Sequence, residues 1–272
     1  MSKRNTFPLE TLEQTLKQIA DKLTDETDIY LIGGGAMTYY ETKVATKDID
    51  IVFLTKGHLL EFIRAAKQAG LTENNEPEEE YTNIGTWTIL TAESGVQLDL
   101  FYRVVCNALE VKDTVVSRTK HHKDMGRLHL HLMSPEDIVL FKGITERESD
   151  LEDMRTLAEA GIDWNTVEEE CLSQENSETW ANLLLTNLYE LRNRYGINPR
   201  LDRLREHADS YVLRKSFETF LGDNELSFPE LQKIVEEKTG YSPTWTRNKL
   251  KELEAAGFIK TRMDGRRKKY RI

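Results

Sequence analysis

Residues 31–54, LIGGGAMTYYETKVATKDIDIVFL, constrain this chain more than any other stretch. An apolar run enters three consecutive glycines, and fourteen residues after Gly34 an Asp-Ile-Asp opens a second apolar run. Short apolar runs bounded by turn residues read as buried strands. Two such strands, joined through a glycine elbow, set a tight backbone beside two carboxylates on one edge of a sheet. The elbow is not a phosphate loop ending in Gly-Lys-Ser/Thr. Nor is it a dinucleotide fingerprint, because its glycines are contiguous.

The flanking pattern supports an α/β arrangement. Leu9, Leu12, Leu16, Ile19, Ala20 and Leu23 recur at helical spacing over 8–23. Asp28–Ile32 reads as a strand, Gly33–Gly35 as a turn and Ala36–Glu41 as the start of a helix. Ile49–Leu54 reads as a second strand, and Leu59–Ala69 as a helix closed by Gly70. Residues 73–80 read as a polar loop. Strands are expected at Ile84–Leu90 and Val96–Tyr102, joined through Glu93-Ser94-Gly95, and at Leu128–Met133. Ser134-Pro135-Glu136-Asp137 has the composition of a helix start: a capping serine, proline at the first helical position, then acids at the positive end of the dipole. From there to about residue 222 the chain reads helical, with breaks near Gly161, Ser173–Ser177 and Gly196–Pro199.

Asp48 and Asp50 are two residues apart, so on a strand they share a face, about 6.6 Å apart along it. Carboxylates that close repel unless a cation lies between them. Magnesium, a hard ion that prefers carboxylate and phosphate oxygens, relieves that repulsion. Asp99 lies on a strand expected beside the first and would complete a clamp for two metal ions. The glycines lack Cβ, which lets the backbone approach phosphates closely. A helix N-terminus after them would offer N–H groups to anionic oxygens. The expected ligand is therefore a nucleoside triphosphate with its Mg²⁺ ions.

Gly33-Gly34-Gly35-Ala36, Thr46-Lys47-Asp48-Ile49-Asp50 and Leu98-Asp99-Leu100 together resemble the polymerase-β-type nucleotidyltransferase superfamily. Within it the chain looks most like the minimal and the abortive-infection toxin nucleotidyltransferases. The resemblance covers residues about 10–160. It implies that Asp48, Asp50 and Asp99 bind Mg²⁺ and that Gly33 and Gly34 contact the triphosphate. The toxin-like branch adds a lysine followed by a spaced Asp pair, here Lys142, Arg147, Asp150 and Asp153; by resemblance Lys142 contacts phosphate. One departure is that many relatives carry an arginine two residues before the threonine, where this chain has Val44, leaving Lys43 or Lys47 to substitute for it.

The far end carries a separate signal. The chain has a net charge of −10, yet residues 227–272 hold twelve Lys/Arg against six Asp/Glu. A basic block on an acidic body suggests one domain made to meet a polyanion. Residues 205–272 read as three helices and a hairpin. Ser227-Phe228-Pro229-Glu230 and Ser242-Pro243 open two of the helices, and Asp264-Gly265 is the hairpin turn. The last helix turns Thr246, Leu250 and Leu253 inward, and Thr244, Arg247, Asn248 and Lys251 outward. Arg and Asn pair well with base edges in a major groove. The hairpin bears Arg262, Arg266, Arg267, Lys268, Lys269 and Arg271. This segment resembles the winged helix-turn-helix domains of prokaryotic transcription regulators, which implies a DNA partner. Its other readings are a protein-contact domain and a solvated basic tail.

Other features read as structural. Cys106 and Cys171 match no metal spacing and read as small, partly buried side chains. His129 and His131 share a strand face with His121 and His122 nearby, read as an ordinary half-exposed strand before a zinc site. Trp180, Leu183, Leu184, Leu188 and Leu191 form an apolar helical stripe. Glu168-Glu169-Glu170 reads as solvated surface. No stretch has the length and apolarity of a membrane span, and MSKRNTFPLE lacks a secretory apolar segment, so a cytoplasmic protein without a membrane partner is expected.

The expected organisation is an α/β (α+β) nucleotidyltransferase domain with a short mixed sheet over 1–160, a helical connector over 161–204 and a winged helix over 205–272. The expected reaction moves a nucleoside monophosphate from an NTP to a hydroxyl acceptor. The competing readings are a non-catalytic, nucleotide-sensing transcription regulator and a toxin–antitoxin component acting on RNA or a cognate protein partner.

Overall fold

Leu12, Leu16 and Ile19 lie on one stripe of the first helix, and all three are wholly buried. This helix, α1 (Leu9–Ala20), follows a two-residue strand, β1 (Phe7–Pro8), which pairs with β3 (Ala45–Thr46). The computed structural model describes residues 6–73, 86–145 and 147–272. These fall into two units that divide between Leu204 and Arg205.

The centre of the first unit is a mixed sheet of seven strands. They are β2 (Thr27–Ile32), β4 (Asp48–Phe53), β5 (Thr72–Glu73), β6 (Thr88–Thr91), β7 (Gln97–Tyr102), β10 (Lys120–Met125) and β11 (Leu128–Leu132). Their order across the sheet is β10-β11-β2-β4-β7-β6-β5. β4 therefore lies in the middle, antiparallel to β2 and parallel to β7. Ile49, Ile51, Leu98 and Leu100 alternate with the aspartates along these strands and are fully buried. That alternation is why the acids share the other face. Between β2 and β4 runs a short helix, α2 (Gly33–Tyr39). After β4 comes α3 (Lys56–Gln68), capped by Thr55, whose hydroxyl accepts from the His58 N–H. A small hairpin, β8 (Val104–Val105) with β9 (Leu109–Glu110), and a short helix, α4 (Asp113–Arg118), lead from β7 to β10.

Four helices complete this unit: α5 (Pro135–Gly143), α6 (Glu148–Ala160), α7 (Trp164–Ser173) and α8 (Ser177–Tyr195). The expected start of α5 holds: the Ser134 hydroxyl accepts from the Asp137 N–H at 3.1 Å, with Pro135 at the first position. No helix among the described residues is long and apolar enough to cross a membrane.

Several expectations need correction. The helix after β2 begins at Gly33 and not at Ala36, because Gly33 alone of the three glycines takes a left-handed φ, +62°. One residue makes the elbow, and Gly34 and Gly35 form the first turn of α2. Strand β10 carried no signal: Lys-His-His-Lys-Asp-Met sits on the sheet edge with all but Met125 exposed, so it has no apolar alternation to read. The helical stretch also breaks between Gly143 and Glu148, without a proline. Glu168 and Glu170 are buried, not solvated; only Glu169 of that run faces water. Cys171 is fully buried. In α8 the buried stripe is Ala181, Leu184, Leu188 and Leu191, while Trp180 and Leu183 are half-buried. The expected loop 73–80 lies, apart from Glu73 in β5, outside the described residues, as do Ile84 and Gly85.

The second unit begins within α9 (Asp202–Leu221). It continues through β12 (Leu226–Ser227), α10 (Phe228–Thr239), α11 (Pro243–Ala255), β13 (Lys260–Asp264) and β14 (Arg267–Arg271). The strands form a three-stranded sheet in the order β12-β14-β13. β13 and β14 pair from Lys260 with Arg271 to Asp264 with Arg267, closing on Gly265, whose φ is +59°. A small core of Leu213, Phe217, Leu221, Leu231, Val235, Leu250, Leu253 and Ile259 joins the three helices to the hairpin. Two caps fix the helix starts. Ser227 and Glu230 form a capping box on α10, and the Ser242 hydroxyl accepts from the Trp245 N–H on α11.

Candidate active site

Register brings the acidic residues and the elbow together. In the antiparallel pair β2·β4, Ile32 stands opposite Asp50, so the next residue, Gly33, lands against the Asp50 side chain. In the parallel pair β4·β7, Asp48 stands beside Gln97 and Asp50 beside Asp99. A Cβ on Gly33 would overlap a carboxylate oxygen of Asp50, and one on Gly34 would overlap the Thr46 hydroxyl. A Cβ on Gly35 would come within 2.8 Å of Leu31 Cδ2. The triplet thus meets three different neighbours: an acid, a hydroxyl and the core.

Asp48 and Asp50 are half-buried, and Asp99 is 2 % exposed. Burial, then repulsion from Asp48 and Asp99, pushes the Asp50 carboxyl well above the usual carboxylate range. Lys142 and Arg147 pull it back in part. Gln97 donates from Nε2 to Asp99 Oδ1 at 2.7 Å, a positioning contact that the Gln-Leu-Asp spacing contained and that the sequence reading passed over.

Lys142, in the last turn of α5, is 11 % exposed at its side chain and ion-pairs with Asp150 Oδ1 and Asp153 Oδ2, each at 2.7 Å. Burial alone would lower the pKa of its ammonium, but the two carboxylates outweigh burial and raise it. Thr145 donates to the other oxygen of Asp150 at 2.6 Å. Asp153 also accepts from Lys43 Nζ, at 2.9 and 2.7 Å. The lysine and spaced Asp pair therefore form one network, which continues to the segment after the elbow. Gly143 lets α8 close over this corner, since a Cβ there would overlap Leu184, and Asn187 donates to the Gly143 and Thr145 carbonyls at 2.9 and 2.8 Å. Cys106, which no spacing singled out, belongs to the same neighbourhood. Burial and then the Asp50 charge push its thiol up to about 12.

The acids are all-oxygen donors, the chemistry that suits a hard divalent cation. The charge crowding on Asp50 is what such a cation relieves, so the donor set fits Mg²⁺. As placed, no three His, Cys, Asp or Glu side chains among the described residues converge tightly enough to cage a metal by themselves. Substrate oxygens would have to share the coordination.

The histidines on the β10–β11 edge engage acids and rings. His129 bonds Asp124 and Glu26 at 2.7 and 2.8 Å, and His131 bonds Asp28 at 2.9 Å and stacks on Tyr30.

In the second unit Thr244, Arg247, Asn248 and Lys251 are exposed on α11 opposite Thr246, Leu250 and Leu253. The Arg247 guanidinium lies 4.5 Å from the Phe228 ring centre. On the hairpin, Arg262 pairs with Glu225, Lys268 with Glu254 at 2.6 Å and Lys269 with Glu230 at 3.0 Å. Arg266 and Arg267 are exposed at the turn.

Residues 12–194 match the family described as nucleotidyl transferases of unknown function, DUF2204. The chain belongs to that family, and nucleotidyl transfer is the general activity that membership carries. No curated protein matches the chain.

Proposed function

We propose that this chain is an Mg²⁺-dependent nucleotidyltransferase that moves a nucleoside monophosphate from an NTP to a hydroxyl acceptor. The observation that carries the proposal is the registered pair Asp50 and Asp99 with Gly33 pressed against Asp50. Asp48, Asp50 and Asp99 would hold two Mg²⁺ ions. When bound, these ions would supply neutralisation of charge on the attacking oxygen and on the leaving pyrophosphate.

The chain's own residues do the rest. Gly33 and Gly34 present backbone without side chains, so the triphosphate lies close along the elbow. Lys142, fixed by Asp150 and Asp153, gives a positive field beside it. Asp99, oriented by Gln97, takes the proton of the acceptor hydroxyl. The acceptor oxygen bonds to the α-phosphorus, the bond from that phosphorus to the bridging oxygen of the β-phosphate breaks, and pyrophosphate leaves.

The second unit is proposed to be a winged helix that binds nucleic acid. Its helix α11 offers Thr244, Arg247, Asn248 and Lys251, and the hairpin offers Arg262, Arg266, Arg267, Lys268 and Lys269. The basic excess of residues 227–272 and the exposed cations at the hairpin turn support that reading.

Incubation with labelled NTPs, Mg²⁺ and total RNA or total protein tests the enzymatic proposal. Wild type should transfer label and release pyrophosphate, and Asp50→Asn should do neither. NTP consumption undiminished in Asp50→Asn would overturn it.

A further inference from the structure

Two adjacent glycines face opposite charges. Gly33 abuts the Asp50 carboxylate, while the space beside Gly34 is closed by the Thr46 hydroxyl and by Lys43, whose Nζ lies 3.6 Å from the position a Cβ would take. Lys43 is held there from the other side by Asp153, in contact with both carboxylate oxygens. Its neighbour Val44 is 92 % exposed, and Lys47 is exposed as well. Of the three residues, only Lys43 turns inward over the elbow.

Lys43 is the outer of two cations on Asp153. Lys142 already pairs with that carboxylate at 2.7 Å and is the more deeply buried of the two lysines, with 11 % of its side chain exposed against 30 % for Lys43. Asp153 is a buried acid whose carboxyl burial alone would raise, yet Lys142 and Lys43 together hold it below the usual range. The local arrangement is two ammonium groups on two acids, Lys142 on Asp150 and Asp153 and Lys43 on Asp153, and the outer ammonium keeps access to water. A lysine on a flexible stem with three donors can hold one carboxylate and still donate to a second anion.

We infer that Lys43 is a phosphate-binding residue of the site, shared between Asp153 and the polyphosphate tail of the nucleotide where that tail crosses Gly34. This rests on the reading of the elbow as a triphosphate site and adds to it a second lysine, beside Lys142, that contacts the polyphosphate. The elbow then has a polarity: the end of the tail nearest Gly33 meets the carboxylates and their cations, and the stretch over Gly34 meets an ammonium. Asp153 acts as a positioning residue, keeping Lys43 over the backbone and staying paired with Lys142 when Lys43 reaches the substrate.

Calorimetric titration of the full chain with inorganic tripolyphosphate, and separately with ATP, tests this with no need for turnover. Lys43→Met should weaken tripolyphosphate by about tenfold or more, the size of a lost charge-assisted contact. Lys43→Arg should stay within about threefold of wild type, and Lys47→Met should match it. Lys43→Gln, which keeps the stem and loses the charge, should behave as Lys43→Met does, which separates charge from packing. Wild-type binding with unchanged affinity in Lys43→Met and Lys43→Gln would overturn the assignment of Lys43 and leave the triphosphate site standing. Failure of wild type to bind either probe would overturn the site itself and Lys43 with it.

Discussion

Asp50 and Asp99 occupy matching positions on adjacent parallel strands, so their carboxylates rise from the same face of the sheet at its centre. The cations nearest in effect to Asp50, Lys142 and Arg147, only partly offset burial and the charges of Asp48 and Asp99. A sheet centre that holds like charges together loses stability by it, and that cost is measurable.

The metal-free chain should be less stable because Asp50 ionises. Its pKa is raised in the fold, so the native state binds a proton more tightly than the unfolded chain does. The penalty is absent below the unfolded carboxylate pKa, grows as pH rises through the window up to the raised pKa, and is fully present above it. Asp50→Asn should therefore raise the melting temperature at pH 7 in chelator by roughly 2–4 °C, the shift that about 1 kcal/mol gives in a domain of this size. Thermal melts in chelator at pH 4 and pH 7 check it, with the gain expected to shrink at the lower pH.

Lys142→Met should cost about 3–5 kcal/mol, because it removes the buried ammonium that pairs with both Asp150 and Asp153. Adding Asp150→Asn should recover part of the loss. Urea midpoints of wild type, the single variant and the double variant measure both effects.

Glu170 ties α7 to α4: it accepts from Arg118 at 2.8 Å and Thr114 at 2.7 Å on α4, and from Gln174 at the end of its own helix at 2.7 Å. Burial alone would raise its pKa, and these donors more than compensate, so its carboxyl is held below the ordinary glutamate value. Its stabilising effect is complete above the unfolded pKa and is lost as pH falls through the lowered one. Glu170→Gln should destabilise by about 2 kcal/mol at pH 7, the size of a charge-assisted contact, and by less in acid. Denaturant titrations at pH 7 and pH 3.5 distinguish this from a pH-independent packing defect.

On the hairpin, the turn cations should bear more of the polyanion contact than the paired ones. Arg266→Ala and Arg267→Ala should each lower the slope of log affinity against log salt by about 0.9 on duplex DNA. Arg262→Ala should change it less, because Arg262 is already engaged by Glu225. Salt titrations of DNA binding by the full chain provide the readout.

The legible parts of the chain were those written in short periods. Asp-Ile-Asp-Ile and Gln-Leu-Asp-Leu alternate with period two, which places both acid-bearing strands, and Thr246, Leu250 and Leu253 recur at helical spacing, which places the inward face of α11. The Ser134 cap and the Asp264-Gly265 turn are local rules and were readable for the same reason. What depends on a distant partner was not. Nothing near Glu170 announces Arg118, which lies 52 residues away, and so a buried acid looked like solvated surface. β10 hides because an edge strand with exposed side chains shows no apolar face. Cys106 joins the charged corner only through the β8–β9 hairpin, where it takes a left-handed φ of 57°. The separate duties of Gly33, Gly34 and Gly35 appear only when their neighbours are in place.

The most direct test is pyrophosphate release with Mg²⁺, mixed NTPs and a cell extract as acceptor source, comparing wild type with Asp99→Asn. Asp99 lies beside Asp50 by register. Asp99→Asn should lose about a thousandfold or more, roughly 4 kcal/mol of transition-state stabilisation, with a melting temperature no lower than wild type. Release within about tenfold of wild type would contradict it, because the acid paired with Asp50 would then have no part in the chemistry.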